Sequence, residues 1–181
     1  MIIFWFIIYN KSIMLHIVLF EPEIPQNTGN IARTCIAFNA RLHLIRPYGF
    51  VLNDKKLIRS GVDYWNKLDL VEHDSYEDFI KQTKNDSKIY YVTRYGKLKP
   101  NESKYNIKND VYLVFGKEST GIDKNILLNN INNTIRIPSS KNVRSLNLSN
   151  CVALMCYEVL RQNNYVDLEL SEPHKELIKG K

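Results

Sequence analysis

The sequence predicts an α/β fold in which helices flank a parallel β-sheet. Residues 15–20 form an apolar strand-like run, residues 31–38 carry apolar side chains at helical spacing, and residues 41–46 form a second strand that Pro47 ends. A strand, a helix and a strand within about thirty residues make a βαβ unit, and such a crossover joins parallel strands. Residues 111–115 are apolar throughout, which is typical of a central strand covered on both faces.

The other elements follow the same alternation along the chain. Residues 21–30, with two prolines and a glycine, are predicted to be a loop between the first strand and the first helix. Asp123 is a candidate cap for the helix after the central strand. The pattern predicts further helices over residues 55–60, 76–81, 124–128 and 148–161, and further strands over residues 68–71, 88–93 and 134–137.

The chain of 181 residues is long enough for one domain with a substantial core. Residues 1–13 are strongly apolar but shorter than the roughly 20 residues that span a bilayer, and they lack the basic start of a signal peptide. Met14 directly precedes the first strand. We therefore expect an N-terminal appendage over residues 1–13, a domain over residues 14–163, a charged tail over residues 164–181 and no membrane association.

Charge and cysteine content limit the partners and the compartment. The net charge of +6 and the pI near 9.1 favour an anionic partner, with nucleic acid ahead of membrane, although lysine is also an ordinary solubilising residue. Cys35, Cys151 and Cys156 form no C-x-x-C pair and lie in apolar helical patterns, which predicts buried, reduced thiols in a cytoplasmic protein. The four histidines lack metal-ligand spacing, so no metal is predicted.

The segment over residues 145–153, together with Arg144 directly before it, places five polar residues between a strand and an apolar helix. Open α/β sheets bind small ligands at such strand–loop–helix corners. The alternative is that Ser149 or Asn150 is simply the N-cap of the last helix, which is the commonest role of these residues. One cap explains one polar residue and not five, so a binding role is favoured.

Two other segments carry similar chemistry. Residues 116–121, Gly-Lys-Glu-Ser-Thr-Gly, leave the central strand, but a P-loop requires glycine where Val111 stands, so nucleoside triphosphate hydrolysis is rejected. A glycine-bounded loop still allows a ligand to approach the backbone closely. Residues 25–30 with Arg33 gather two asparagines, a helix start and one guanidinium where an anion could bind.

Together these three segments resemble the motifs of the SPOUT superfamily of RNA methyltransferases, in the same order. Residues 27–34 are similar to the first motif, residues 115–121 to the second and residues 135–150 to the third. The resemblance covers roughly residues 14–163, and it is greatest to the TrmL-like branch. It implies a deep C-terminal trefoil knot and methylation of the ribose 2′-hydroxyl of the tRNA wobble nucleotide, a cytidine or a modified uridine.

The resemblance also implies S-adenosylmethionine as cofactor, tRNA as substrate and a homodimer. It assigns catalytic roles to Arg33, Asn27, Asn30 and Asn147. Its cofactor pocket would be lined by Thr93, Gly116, Glu118, Gly121, Ile137 and Ser145. For contact with RNA we expect Arg94, Lys97, Lys141 and Arg144, together with Tyr157 and Arg161 on the last helix.

Two other functions stay open at this point. The same enzyme chemistry could act on ribosomal RNA or on another tRNA position, because nothing in the pocket motifs excludes it. A non-catalytic RNA-binding protein could keep this fold as a scaffold, but it would tolerate loss of Arg33, Glu118 or Asn147, and all three are present.

Overall fold

A computed structural model describes residues 15–52 and 62–171 of the chain. Within these residues six strands form one sheet in the order β3-β2-β1-β5-β4-β6, and every pairing is parallel. The strands are β1 (Leu15–Phe20), β2 (Arg41–Ile45), β3 (Leu70–His73), β4 (Lys88–Val92), β5 (Val111–Phe115) and β6 (Thr134–Ile135). The helices are α1 (Pro25–Ala37), α2 (Tyr76–Gln82), α3 (Lys124–Asn129) and α4 (Leu148–Gln162), with 3₁₀ turns at Val62–Lys67, Pro100–Glu102 and Ile131–Asn133.

The two central strands of the sheet, β1 and β5, are completely buried. Every residue of β1 and of β5 is buried, and the two strands pair in register, with Val18 opposite Val114. Alternate side chains of such strands face opposite sides of the sheet, so both faces need cover. The predicted central strand over residues 111–115 is confirmed.

Helices cover both faces of the sheet. On one face α1 and α4 pack together over the strands, and Val152, Met155 and Val159 of α4 are fully buried there. These residues recur at intervals of three and four, which places them on one side of the helix. On the other face Phe79 of α2 and Leu127 of α3 pack against Val18 and its neighbours.

The first helix begins six residues earlier than the sequence predicted. Residues 21–30 were expected to be a loop, but α1 starts at Pro25, and the Thr28 amide donates to the Ile24 carbonyl over 3.2 Å. Proline suits the first turn of a helix because its missing N–H has no partner there in any case. The residues that indicated a loop are therefore the first turns of the helix.

Other boundaries differ by smaller amounts. The strand expected over residues 68–71 is β3 at Leu70–His73, and the strand expected over residues 134–137 is reduced to Thr134–Ile135. Asp123 caps α3 as predicted, its carboxylate accepting from the Asn125 amide over 2.7 Å. The helix expected over residues 55–60 lies outside the described residues, as do the appendage over residues 1–13 and the last ten residues of the tail.

The start of the expected tail contacts the domain. The Tyr165 hydroxyl donates to the Tyr157 hydroxyl over 2.9 Å, and Asn39 Nδ2 donates to the Asp167 carbonyl over 2.9 Å. Among the three cysteines, Cys35 and Cys156 are buried as predicted, Cys151 is half-buried, and all three are free thiols. In the part of the chain that the structure describes, no helix is both long and apolar enough to cross a membrane.

Candidate functional site

A cavity of about 420 Å³ lies beyond the carboxyl ends of β4, β5 and β6. This volume is within the range of roughly 300–1,000 Å³ that is usual for small-molecule sites. Its wall is formed by the loops after the three strands, by the start of α1 and by the start of α4. The lining includes Asn27, Thr93, Arg94, Tyr95, Gly116, Glu118, Gly121, Arg136, Ile137, Ser139, Arg144, Ser145 and Asn147.

One hydrogen-bond chain joins three parts of this wall. Asn147 Nδ2 donates to Asn27 Oδ1 over 3.0 Å, and Asn27 Nδ2 donates to Glu118 Oε1 over 2.8 Å. The second Glu118 oxygen accepts from the Glu23 amide over 2.9 Å. Asn27 is buried and its amide group is used on both sides, so it holds the loop after β5 and the start of α4 against α1.

Asn147 also decides which residue caps the last helix. Its side-chain oxygen accepts from the Ser149 amide over 2.9 Å and from the Ser149 hydroxyl over 2.7 Å, so Asn147 is the N-cap of α4. The expectation that Ser149 or Asn150 is the cap was wrong by two or three residues. Leu148 already lies in the helix, and the cap must come directly before it.

The loop over residues 116–121 folds back on itself between two glycines. A Cβ atom on Gly116 would lie 2.2 Å from the carbonyl carbon of Gly121, and Gly121 has a φ of 80°. The Gly121 amide donates to the Lys117 carbonyl over 2.9 Å, which closes the turn. Both glycines are therefore required, the first by space and the second by backbone conformation.

Ion pairs and hydrogen bonds fasten the same loop to the segment before α1. Lys117 Nζ lies 2.6 Å from Glu21 Oε2, and this bond raises the pKa of Lys117. The Ser119 amide and hydroxyl both donate to the Glu23 carboxylate, over 2.9 and 2.7 Å, and these bonds lower the pKa of Glu23. The loop is thus held from both sides before any ligand binds.

The loop after β4 is held against β6. The Thr93 amide donates to the Ile135 carbonyl over 2.9 Å, and the Lys97 amide donates to Thr134 Oγ1 over 3.0 Å. A Cβ atom on Gly96 would lie 2.2 Å from the carbonyl carbon of Ile135, so only glycine allows the two backbones to lie this close. Arg94 and Tyr95 are exposed at the top of this loop, at the edge of the cavity.

The structure brings most of the predicted pocket residues into one wall. All six expected cofactor residues line the cavity, together with Asn27, Asn147, Arg94 and Arg144. Six predicted site residues do not line it. Asn30 and Arg33 are exposed on α1, Lys97 is exposed in the loop after β4, Lys141 is exposed in the segment before α4, and Tyr157 and Arg161 are exposed on α4.

Some of the predicted RNA contacts already have partners within the chain. Arg161 binds Glu158 through two hydrogen bonds of 2.8 and 2.9 Å, so its guanidinium is oriented along α4. Lys97 Nζ donates to Asn132 Oδ1 over 2.8 Å. Arg94 lies over the Tyr95 ring, with its guanidinium carbon 4.5 Å from the ring centroid.

Among the residues of the wall that sequence reasoning did not single out are Tyr95 and Arg136. Arg136 lies between Ile135 and Ile137 in the third motif, and its guanidinium donates to the Arg94 carbonyl. Position within a motif could have indicated it. Tyr95 directly follows two predicted site residues, Thr93 and Arg94. This position is a weak signal, and the sequence offers no other.

Three histidines that look scattered in the sequence lie together on the face that α2 covers. His16 Nδ1 and His43 Nε2 share a hydrogen bond of 2.8 Å, and so do His43 Nδ1 and His73 Nε2. The three rings line a second cavity of about 380 Å³, away from the site above. Among the described residues, no group of His, Cys, Asp or Glu has the geometry of a metal site.

Comparison with known proteins decides the family. The SpoU rRNA methylase family matches residues 14–157, which is most of the chain and includes all three motif segments. The chain belongs to this family.

Relatives of this SpoU family member are similar over nearly their whole length. A Bacillus subtilis protein, provisionally named a tRNA (cytidine(34)-2′-O)-methyltransferase, is 47% identical over 158 residues, which are 87% of this chain and 98% of that protein. A solved structure described as giving insights into the 2-OH methylation of C/U34 on tRNA is 41% identical, with a TM-score of 0.80 over 84% of this chain and 98% of that one.

A more distant solved structure shares the fold of the family. It is the SpoU methyltransferase AviRb from Streptomyces viridochromogenes in complex with the cofactor AdoMet. It is 21% identical, with a TM-score of 0.74 over 85% of this chain and 59% of that one. The six-stranded parallel sheet flanked by helices is therefore the fold of SPOUT methyltransferases.

Proposed function

We propose that the chain methylates the ribose 2′-hydroxyl of the wobble nucleotide of tRNA, a cytidine or a modified uridine, with S-adenosylmethionine as methyl donor. The hydrogen-bond chain from Asn147 through Asn27 to Glu118 carries the proposal, because it joins the three family motifs around one cavity. The name of the Bacillus subtilis relative, which is matched over 98% of its length, supports the choice of tRNA and of the wobble position.

The wall of the cavity fits the proposed cofactor. Apolar side chains such as Val92, Ile137 and Leu146 stand beside the hydroxyls of Thr93 and Ser145, which suits a flat purine joined to a polar sugar. The backbone of the loop over residues 116–121 can approach such a ligand closely. Glu118 contributes the acidic side chain of the wall, so a cationic sulfonium is tolerable there. When bound, S-adenosylmethionine supplies an electrophilic methyl group.

Positioning is the main task that the chain's own residues perform. Holding the 2′-oxygen in line with the methyl carbon can supply about 7–11 kcal/mol, because a bimolecular step becomes effectively unimolecular. Asn27 and Asn147 are held by their mutual hydrogen bond, and they are proposed to orient the ribose and the cofactor. Asn30 lies one helical turn after Asn27 and faces solvent, where it can meet the incoming ribose.

Arg33 is proposed to bind the phosphate next to the target sugar and to stabilise the negative charge that develops on the 2′-oxygen. A guanidinium keeps its proton and cannot act as the base, but it presents several N–H donors to a phosphate. Its exposure on α1, outside the cavity wall, suits a contact with RNA better than a contact with the cofactor.

Basic side chains surround the mouth of the cavity. Arg94, Arg136 and Arg144 line it, and Lys141 is exposed on the same segment as Arg144. Tyr157 and Arg161 on α4 extend the proposed RNA surface beyond the mouth. Such a surface predicts binding that weakens steeply with salt, because each phosphate contact releases counterions.

Several further features belong to the same proposal. We infer a homodimer in which each site uses both chains, a trefoil knot formed by the segments around β6, and a domain over residues 14–163. The exposed apolar residues of α4 support the dimer, and the close packing of Gly96 on β6 fits a chain threaded tightly at this point. The free cysteines suit a cytoplasmic protein.

Mass spectrometry of tRNA nucleosides tests the function directly. tRNA that carries its other modifications but lacks the wobble ribose methyl is incubated with the protein and S-adenosylmethionine, and the anticodon loop is digested and analysed. One new ribose methyl at the wobble nucleotide is expected. A methyl at another tRNA position, or on ribosomal RNA only, would change the substrate. RNA binding with no methyl transfer to either RNA would favour the non-catalytic alternative.

A further inference from the structure

Tyr95 is an exposed aromatic side chain at the mouth of the proposed cofactor cavity. It is 62% exposed, although it is part of the cavity wall. Phe115 is the other aromatic residue among the described lining residues, and it is buried in β5. A large ring that is left open to solvent at the edge of a ligand cavity is available to a ligand, since it is not needed for the core.

The backbone under Tyr95 is fixed before any ligand arrives. The Gly96 amide donates to the Thr93 carbonyl over 3.1 Å, and the Leu98 amide donates to the Thr134 carbonyl over 3.0 Å. Gly96 also lies so close to Ile135 that a Cβ atom on it would be 2.2 Å from the Ile135 carbonyl carbon, so this turn packs directly on the backbone of β6. The ring is therefore presented on a rigid support, which lowers the entropy cost of binding against it.

Positive charge surrounds the ring. The Arg94 guanidinium lies over the Tyr95 ring, the Arg136 guanidinium donates to the Arg94 carbonyl, and Arg144 lines the same cavity. A single-stranded nucleic acid offers flat bases and phosphates together, and proteins bind it with aromatic faces beside basic side chains. The chemistry of this edge of the cavity is that of a base-stacking site.

We propose that Tyr95 stacks on the base of the nucleotide whose ribose enters the cavity. The inference rests on the proposed function, because a methylated 2′-hydroxyl brings the base on the same sugar to the cavity mouth. Stacking uses the face of a base and ignores its hydrogen-bonding edge. One ring can therefore accept both cytidine and a modified uridine, which a site that reads base edges could not do.

A double-mutant cycle between protein and RNA tests the proposal. Anticodon stem–loops with a normal or an abasic wobble nucleotide are titrated against the wild-type protein, Tyr95→Phe and Tyr95→Ala, with fluorescence anisotropy as readout. Removing the base should weaken binding about 5- to 150-fold for the wild type and for Tyr95→Phe, the range for one base–aromatic stack. For Tyr95→Ala, removal of the base should weaken binding less than about twofold, because the substitution and the removal of the base eliminate the same contact.

A control variant and a cofactor titration accompany the binding cycle. Ile80→Ala removes an exposed apolar side chain from α2, which does not line the cavity, and should behave as the wild type. If base removal weakens the wild type and Tyr95→Ala by the same factor, the proposal is wrong. It is also wrong if calorimetry shows that Tyr95→Ala loses affinity for S-adenosylmethionine as much as for RNA, since the ring would then stack on the adenine.

The fate of the proposed function is read from a different measurement. Nucleoside mass spectrometry of the wild-type reaction decides whether the wobble ribose is methylated, whereas the binding cycle decides whether Tyr95 contacts the base. If the wobble ribose is methylated but the effects of base removal and of Tyr95→Ala on binding are additive, the stacking proposal is wrong and the proposed function stands. If the two effects are not additive but no methylation is found, the stacking proposal stands and the proposed function is wrong.

Discussion

Arg33 is one of the predicted site residues that lie outside the cavity wall. It is exposed on α1 and does not line the cavity, whereas Asn27, nearly two turns before it, is buried in the wall. Residues six apart on a helix point about 120° away from each other, so one helix can serve the cavity and the substrate on different sides. Arg33 therefore faces solvent, whereas Asn27 faces the cavity wall.

Substitution of Arg33 should separate cofactor binding from methyl transfer. Arg33→Ala is expected to retain affinity for S-adenosylmethionine, measured by calorimetry, and to lose methylation by about 100-fold or more, the usual effect of removing one preorganised charge-stabilising donor. Arg33→Lys keeps the charge but not the planar fork, so partial activity is expected. Near-normal turnover of Arg33→Ala would refute the assignment.

The linked histidines are sensitive to acid because they are buried as neutral rings. Burial lowers the pKa of His16 from 6.5 to about 4 and that of His43 from 6.5 to about 3, the latter with help from the neighbouring His16 and His73. Three neutral rings carry three N–H groups, and two of these are used between the rings. The third can face Asp110 beside His16 or Asp78 beside His73, but not both.

Stability should therefore fall as the pH falls. Between pH 6.5 and about 4 the unfolded chain binds protons at His16 and His43 that the folded chain excludes, so the free energy of unfolding decreases as the pH falls through this window. Above pH 6.5 both states hold these rings neutral, and no stability is lost to their protonation. Urea midpoints measured from pH 7.5 to pH 4.5 check this. Ring resonances of His16 and His43 that titrate near pH 6.5 in the folded protein would contradict it.

At the scale of elements, the site is built from loops rather than from helices or strands. The loop after β5 is held by Glu21 and Glu23, the loop after β4 is held by β6, and Glu118 and Asn27 connect the first of these loops to α1. Their bonds join residues that are far apart in the sequence, with Ser119 and Glu23 separated by 96 positions, so no local rule could pair them.

The loop after β5 should not tolerate a side chain at Gly116. In Gly116→Ala the new Cβ would lie 2.2 Å from the Gly121 carbonyl carbon and 2.3 Å from the Ile122 nitrogen, so the loop must open. We expect a loss of about 1–3 kcal/mol in the free energy of unfolding and weaker binding of S-adenosylmethionine. Urea unfolding and calorimetry measure the two effects.

Thr83→Ala is the control for this change. It removes a hydrogen bond of 2.9 Å from the Thr83 hydroxyl to the Phe79 carbonyl at the end of α2, which costs about 1 kcal/mol of stability, and Thr83 does not line the proposed cofactor cavity. Its effect on cofactor affinity should be small. Equal losses of cofactor affinity in both variants would mean that the turn between Gly116 and Gly121 has no special role.

At the scale of the whole molecule, the sheet carries two polar regions that serve different ends. The cavity lies beyond the carboxyl ends of β4, β5 and β6, and the linked histidines lie on the face that α2 covers. The α4 surface is a third region, and Leu154 is 52% exposed there, on the side away from the core. An exposed leucine on a long helix fits the proposed dimer.

The dimer proposal predicts the effect of a charge on this surface. Leu154→Arg should shift the protein toward monomer in sedimentation velocity at micromolar concentration, because a buried unpaired charge is costly at an interface. Leu128→Arg, on the comparably exposed leucine of α3, should leave the assembly unchanged. A wild-type protein that sediments as a monomer would sink the dimer proposal itself.

Much of the architecture could be predicted because it depends on local patterns. The apolar run over residues 111–115 is the central strand β5. The helix predicted over residues 148–161 from its apolar spacing is α4, which ends one residue later. The start of α1 could not be placed, because proline, glycine and asparagine are turn residues and also acceptable in a first helical turn. In the folded chain Asn27, Thr28 and Gly29 are buried residues of the helix, and no local pattern indicates that burial.

By itself, the sequence determined the fold class, the order of the elements and the three segments that form the site, because periodicity and turn chemistry act over a few residues. Only the tertiary structure decided which polar side chains meet. It showed that Asn27 bonds both Glu118 and Asn147, that Tyr95 and Arg136 join the wall, and that His16, His43 and His73 are in contact. These contacts depend on how parallel strands bring distant loops to one edge of a sheet, and that is a property of the packed molecule.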